Sequence, residues 1–289
     1  METYRIPEMA NKYINYDMIQ NYTELPDFPD SRVRLLYAFL ANECKNKKHS
    51  ELYALAVALI QMGLDTHDLI DTDTGQKQEK AMRSRQLKVL AGDYFSSRFY
   101  HLLSQESQID LIKKLSGAIC EVNRLKMNLY MKMKLLRVTA EEYIQTCVKL
   151  KTELFDVFSG MLEEKNGLQW PALMQGFSQC EVVAGELKRI ETAEQFKGSW
   201  GYWHVLQEGT EEEKRMLKED AHEDSLTHDL VAKYDIRNHL AAQLRQAVDH
   251  VQSAARKLES DKLVQELCQI GESFLRTLPS IAPAYNEMR

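Results

Sequence analysis

Apolar residues recur along nearly the whole chain at the three- and four-residue spacing of a single helix face, and no stretch sustains the two-residue alternation of a strand. The pattern predicts helices over 8–23, 31–46, 50–71, 78–103, 106–136, 140–165, 171–191, 199–207, 210–220, 222–235, 237–259 and 261–275. Breakers support it: prolines stand only at 7, 26, 29, 171, 279 and 283, leaving 30–170 and 172–278 without one. Thr139 to Glu142 reads as a capping box, in which hydroxyl and carboxylate satisfy each other's backbone donors. Trp170-Pro171 places proline in a first turn, where its missing N–H costs nothing. With no internal repeat, low-complexity segment or composition break, the expectation is one all-α domain over 1–289. Within it, 1–29 form an N-terminal helix and linker and 278–289 a frayed tail.

The segment 51–73 carries the most information. From Leu52 to Ile60 nearly every residue is apolar on all sides, so this helix belongs at the centre of a bundle. Asp65, Asp68, Asp71 and Asp73 then follow, with His67 among them. Asp65, Asp68 and Asp71 recur every three residues, which puts neighbouring pairs on one side of a helix. Carboxylates at a helix C-terminus oppose the macrodipole, at about 0.3–1 kcal/mol each when exposed. Either a cation compensates them, Mg²⁺ being the oxygen-preferring choice, or they form a solvated helix end leading into Thr74-Gly75. Further along, Ile144, Val148, Phe155, Phe158 and Leu162 form an apolar stripe in which Lys151 falls. A lysine on a core-facing line needs an anion, and a buried carboxylate or a diphosphate would each serve.

Composition narrows the class. Apolar residues are 44% and charged residues 28%, ordinary for a globular chain whose core at 289 residues needs no disulfide or structural metal. Cys44, Cys120, Cys147, Cys180 and Cys268 are scattered, form no CxxC pair, and read as buried thiols in a reducing compartment. The N-terminus lacks a signal-peptide pattern, and the longest apolar stretch, Leu52 to Met62, falls short of a membrane span; a cytoplasmic protein is expected. A net charge of −6 argues against general nucleic-acid binding. Charge is uneven, with seven Lys/Arg against Glu121 over 111–137 and eight acids against three bases over 208–224. Solvated helix faces and an anionic partner are both compatible with that distribution. His222 and His228 are six apart, poor spacing for a zinc pair on one helix. No phosphate-binding glycine loop, nucleophile elbow or HExxH occurs.

An Asp-rich helix end followed by LAGDYFSSRFYHLLS (Leu90 to Ser104), and later by KLKTELF (Lys149 to Phe155), resembles the trans-prenyl diphosphate synthases. Those enzymes carry a DDxxD motif, then a helix opening LAGDY, then a Lys-Thr motif, in this order. The resemblance spans about 50–160 and implies an isoprenoid synthase-like helical bundle around a central buried helix. It makes Lys151 a candidate diphosphate contact. Aligned on LAGDY, the first motif here is His67, Asp68 and Asp71, with histidine in place of the first aspartate. The paired arginines that follow in the family are absent, Arg83 and Arg85 lying further on. The second Asp-rich motif is lost: no aspartate stands between Asp156 and Asp220, and Glu181 and Glu186 are five apart.

Without carboxylates on the second wall the family's Mg²⁺-assisted ionisation loses its electrostatic support. A degenerate copy on an intact scaffold is most similar to component 1 of the two-component heptaprenyl diphosphate synthases. That resemblance implies a heterodimer with a catalytic component 2 that binds most of the Mg²⁺, no catalytic residue in this chain, and a role in the activity and product length of menaquinone side-chain synthesis. It also implies that 106–136 helps pair the subunits. Met127, Met131 and Met133 then read as adaptable contacts, and Phe95 and Phe99 as candidates for the tunnel or interface. Core packing is the competing reading for all five. GSWGYWHVL (Gly198 to Leu206) stands where the family carries basic residues. The alternatives are an active enzyme with one metal site at His67, Asp68 and Asp71, and a helical scaffold unrelated to isoprenoids.

Overall fold

A computed structural model describes residues 4–16, 19, 23–42, 47–70, 79–162, 167–218 and 224–278, and among them no strand occurs. The helices are α1 (Ile6–Ile14), α2 (Asp30–Asn42), α3 (Ser50–Asp68), α4 (Glu79–Gln105), α5 (Ile109–Lys134), α6 (Ala140–Asp156) and α7 (Trp170–Arg189). They continue as α8 (Ala193–Phe196), α9 (Trp200–Glu208), α10 (Glu211–Lys218), α11 (Asp224–Lys233), α12 (Ile236–Ala255) and α13 (Asp261–Leu275). The chain divides into two compact units, one of residues 1–126 with 150–174, the other of 127–149 with 175–289.

In the first unit α3 is the core element, packed against α1, α2 and α4. Tyr53 to Ile60 are all buried, as the apolar run demands. Gly63 and Gly92 let α3 and α4 cross closely: a Cβ on Gly63 would sit 2.9 Å from Ser96 Oγ, and one on Gly92 2.6 Å from the His67 ring. Trp170, at the start of α7, is fully buried with its ring 5.2 Å from that of Phe39. In the second unit α12 packs on α13 and on α11, α9 packs on α10, and α8 packs on α11. Ser199 caps α9 by accepting the Tyr202 N–H at 3.2 Å, and Ser260 caps α13 through Leu263 at 3.4 Å.

Helix ends differ from the sequence expectation where the chain uses left-handed residues other than glycine. Ser107 (φ 55°) closes α4 by donating to Ser104 O while Gln108 N–H reaches Leu103 O, so α5 begins at Ile109 rather than 106. Leu136 (φ 51°) closes α5 in the same way, with Arg137 N–H on Lys132 O. Asp235 (φ 48°) separates α11 from α12. The helix expected over 140–165 ends at Asp156, because the chain tightens into a 3₁₀ turn at Ser159–Met161 through Ser159-Gly160, two weak helix formers. That expected over 50–71 ends at Asp68. The short α8 was not expected from the pattern.

Candidate functional site

The C-terminal end of α3 gathers the charged groups that the sequence singles out. Asp65 accepts a hydrogen bond from Gln61 Nε2 at 2.8 Å and lies 3.5 Å from Lys151 Nζ. Arg32, almost fully buried on α2, donates to Gln61 Oε1 at 3.0 Å and to the Lys151 backbone carbonyl at 2.8 Å. Its guanidinium stands 5.0 Å over the Phe155 ring, a cation–π contact inside the core. Asp68 accepts from Lys126 Nζ at 2.6 Å, and the same ammonium reaches the Leu64 carbonyl at 3.4 Å. Lys88, from α4, donates to the Leu69 carbonyl at 2.9 Å. Desolvation pushes the Asp68 carboxyl above its ordinary range, while Lys126 acts in the opposite direction.

His67 packs over Gly92, and its Nε2 lies 3.5 Å from Asp93 of the LAGDY segment. The glycine of that segment thus serves as the slot into which residue 67 fits. Asp71, the third member of the first motif, falls outside the described residues, as do His222 and Cys44. Among the described residues no group of three or more His, Cys, Asp or Glu side chains is placed to hold a metal ion. The described donors at the end of α3 do not fit Mg²⁺: Asp65 and Asp68 already face lysines, and His67 supplies a nitrogen where the ion prefers oxygen.

On α7 the carboxylate of Glu186 is buried and engaged on both oxygens. Oε1 accepts from the Tyr143 hydroxyl at 3.0 Å and from Arg189 at 3.2 Å, and Oε2 accepts the Trp200 N–H at 2.5 Å. Arg189 also donates to the Tyr143 hydroxyl at 2.7 Å and to the carbonyls of Gln195 and Lys197. Desolvation opposes the charge on Arg189, and Tyr143 with Glu186 outweigh it, so its pKa rises. Glu186, one of the two glutamates that the sequence offers on this helix, therefore joins α6, α7 and the entry to α9 in a structural network. Trp200 leads the segment GSWGYWHVL, in which Trp200, Tyr202 and Trp203 are all buried. Arginine–carboxylate pairing, rather than a cation-binding surface, occupies this region of the second unit.

Phe95 is fully buried and Phe99 nearly so, in the core of the first unit. Met127 and Met131 are 63% and 48% exposed, and Tyr130, Leu135 and Leu136 beside them are about half exposed. Met133 instead packs towards Gly198. The basic stretch 111–137 is partly neutralised, Arg124 by Glu121 at 2.6 Å, Lys126 by Asp68, and Lys132 by Glu142. Glu142 N–H donates to Thr139 Oγ1 at 3.0 Å, so the hydroxyl half of the expected capping box is present while its carboxylate faces Lys132. Among the described residues Arg83 pairs with Glu79, one turn away on exposed helix surface. The cysteines correct one expectation: of the described thiols Cys180 alone is buried, and Cys120 is exposed. No helix among the described residues is long and apolar enough to cross a membrane.

Periodicity calls for an anion near Lys151, and the Asp65 carboxylate lies 3.5 Å from its Nζ. Sequence reasoning passed over Arg32, Gln61 and Lys126. Two of them carried a signal: Arg32 interrupts the core-facing row of α2, and Gln61 is the polar residue inside the apolar run of α3. Lys126 looked like any other lysine of a basic helix.

Similar folds occur in the decaprenyl diphosphate synthase from Rhodobacter capsulatus, at a TM-score of 0.69 and 16% identity over 96% of this chain and 91% of that one. The geranylgeranyl pyrophosphate synthase from Lactobacillus brevis matches at 0.68 and 14%, over 94% and 96%. At these identities the likeness shows the fold, an all-α isoprenyl diphosphate synthase fold. Heptaprenyl diphosphate synthase component 1 of Geobacillus stearothermophilus is 39% identical over 83 residues, 29% of this chain and 36% of that relative, so the aligned stretch spans about a third of it. The family described as heptaprenyl diphosphate synthase (HEPPP synthase) subunit 1 matches residues 16–227, well over half of the sequence. The chain belongs to the heptaprenyl diphosphate synthase subunit 1 family.

Proposed function

We propose that this chain is the auxiliary, catalytically silent subunit of a heterodimeric prenyl diphosphate synthase acting in the cytoplasm. Its partner, a component 2 with intact Asp-rich motifs, binds the Mg²⁺ and ionises the allylic diphosphate. This chain holds that partner in its active conformation and helps bound the tunnel that sets product length, in the supply of heptaprenyl diphosphate for menaquinone. The observation carrying the reading is that the carboxylates on both helices that would bear the motifs are engaged within the chain: Asp65 and Asp68 with lysines, Glu186 with Tyr143, Arg189 and Trp200. Among the described residues no group of carboxylates is left there to clamp a diphosphate through metal ions from two walls.

The exposed end of α5 supplies a surface for the partner. Met127, Met131 and Leu135 recur every four residues and share a face, with Tyr130 and Leu136 alongside. Adaptable methionines with an aromatic residue suit a contact between proteins. The test is an elongation assay with farnesyl diphosphate and labelled isopentenyl diphosphate, on the chain alone and mixed with a candidate component 2. Product in the mixture only is expected, and its length reads the tunnel role. Product from the chain alone would mean an active site at His67, Asp68 and Asp71, and would sink the proposal.

A further inference from the structure

The α3 terminus poses a charge problem that the structure resolves without a metal. Asp65 and Asp68 sit in the last turn, where the macrodipole already presents negative charge. Lys126 meets Asp68 and the Leu64 carbonyl, Lys151 meets Asp65, and Lys88 meets the Leu69 carbonyl. Arg32 locks the arrangement from beneath, fixing Gln61 against Asp65 and holding the Lys151 backbone. Each of the two carboxylates thus faces an ammonium, Asp68 that of Lys126 and Asp65 that of Lys151. A dication entering between them would meet these two positive charges, and at a few ångströms that repulsion is substantial in a partly desolvated site.

We infer that Lys126 and Lys151 take the place of the divalent cation in this chain, making the motif-bearing end of α3 a lysine-closed site that excludes Mg²⁺. Lys126 is the deciding residue. It comes from a different helix, its ammonium contacts Asp68 at 2.6 Å, and only 24% of its side chain is exposed. The inference concerns Asp65 and Asp68 themselves and stands whether or not the chain serves a synthase, because it follows from the donors already engaged.

Mn²⁺ is the probe, followed through loss of the free-ion paramagnetic resonance signal on the full chain. Wild type and Asp68→Asn are expected to bind it identically, the shared background being surface acids. Lys126→Gln is expected to bind one additional ion at least roughly tenfold more tightly than wild type, the effect of removing one nearby positive charge. Adding Asp68→Asn to that variant is expected to abolish the gain. A wild-type site that Asp68→Asn removes would overturn the inference, as would a folded Lys126→Gln chain that gains nothing. Should Lys126→Gln fail to fold, the comparison of wild type with Asp68→Asn still decides the matter.

Discussion

In the alignment that the LAGDY resemblance implies, His67 takes the place of the family's first aspartate, and the missing side chain of Gly92 makes room for it. A Cβ at Gly92 would come within 2.6 Å of the imidazole, with the ring hemmed between α3 and α4. Gly92→Ala should therefore cost about 1–3 kcal/mol by overpacking. In a His67→Ala background the same change should cost much less, a coupling that urea unfolding of the four variants measures directly. Equal costs in both backgrounds would show that the glycine is there for another reason. His67, Asp68 and Lys151 were legible in the sequence as candidates, from spacing and resemblance. Their partners were not, because a lysine on α5 and an arginine on α2 meet α3 only through tertiary packing. The local pattern around Lys126, a row of bases on an amphipathic helix, is the same for a solvated charge as for a buried counterion.

At the scale of single helices, α10 shows how much a cap can carry. Glu213 closes a reciprocal box with Thr210, its carboxylate accepting the Thr210 N–H at 2.9 Å while Thr210 Oγ1 accepts the Glu213 N–H at 3.3 Å. Lys233, the last residue of α11, and the hydroxyl of Tyr234 just after it converge on the same carboxylate at 2.6 and 2.7 Å. Those donors, Lys233 first, hold the Glu213 carboxyl down to about 2 from an ordinary 4.5. A depressed folded-state pKa contributes stability that is fully present above the unfolded value and lost as pH falls through the folded one. The stability difference between wild type and Glu213→Gln should accordingly shrink as pH drops from about 5 to 2, a window set by those two values. A difference that stays constant across that range in denaturant titrations would refute the cap's electrostatic role. Helix positions were broadly readable because apolar periodicity is a local signal. Their ends were less so: Ser107, Leu136 and Asp235 adopt a left-handed conformation that glycine normally supplies, and no residue preference announces it.

For the whole molecule, the exposed apolar row at the end of α5 is the feature that a partner would change most. Met131→Asp should leave the thermal midpoint of the lone chain within about 1–2 °C, since a half-exposed side chain contributes little to its own unit. The same substitution should weaken reconstitution with component 2 by tenfold or more, measured as the concentration of this chain giving half-maximal synthase activity. Unchanged reconstitution would move the interface elsewhere. Binding would also stabilise this chain by mass action, by about 2.7 kcal/mol with the free partner at a hundred times Kd, and so raise its midpoint. The all-α class was recoverable from periodicity and breaker spacing, while the synthase-like bundle rested on the resemblance; the boundaries of the two compact units run through α5, α6 and α7, where composition shows no break. The lysines at α3 have one more consequence. A metal ion must be drawn from solution and its occupancy follows its supply, but an ammonium tethered by the chain is present at a local concentration that no change in the medium can dilute. The shape of this chain at α3 should thus be the same in magnesium-poor and magnesium-rich conditions, and any magnesium response of an assembled synthase would originate in the other subunit.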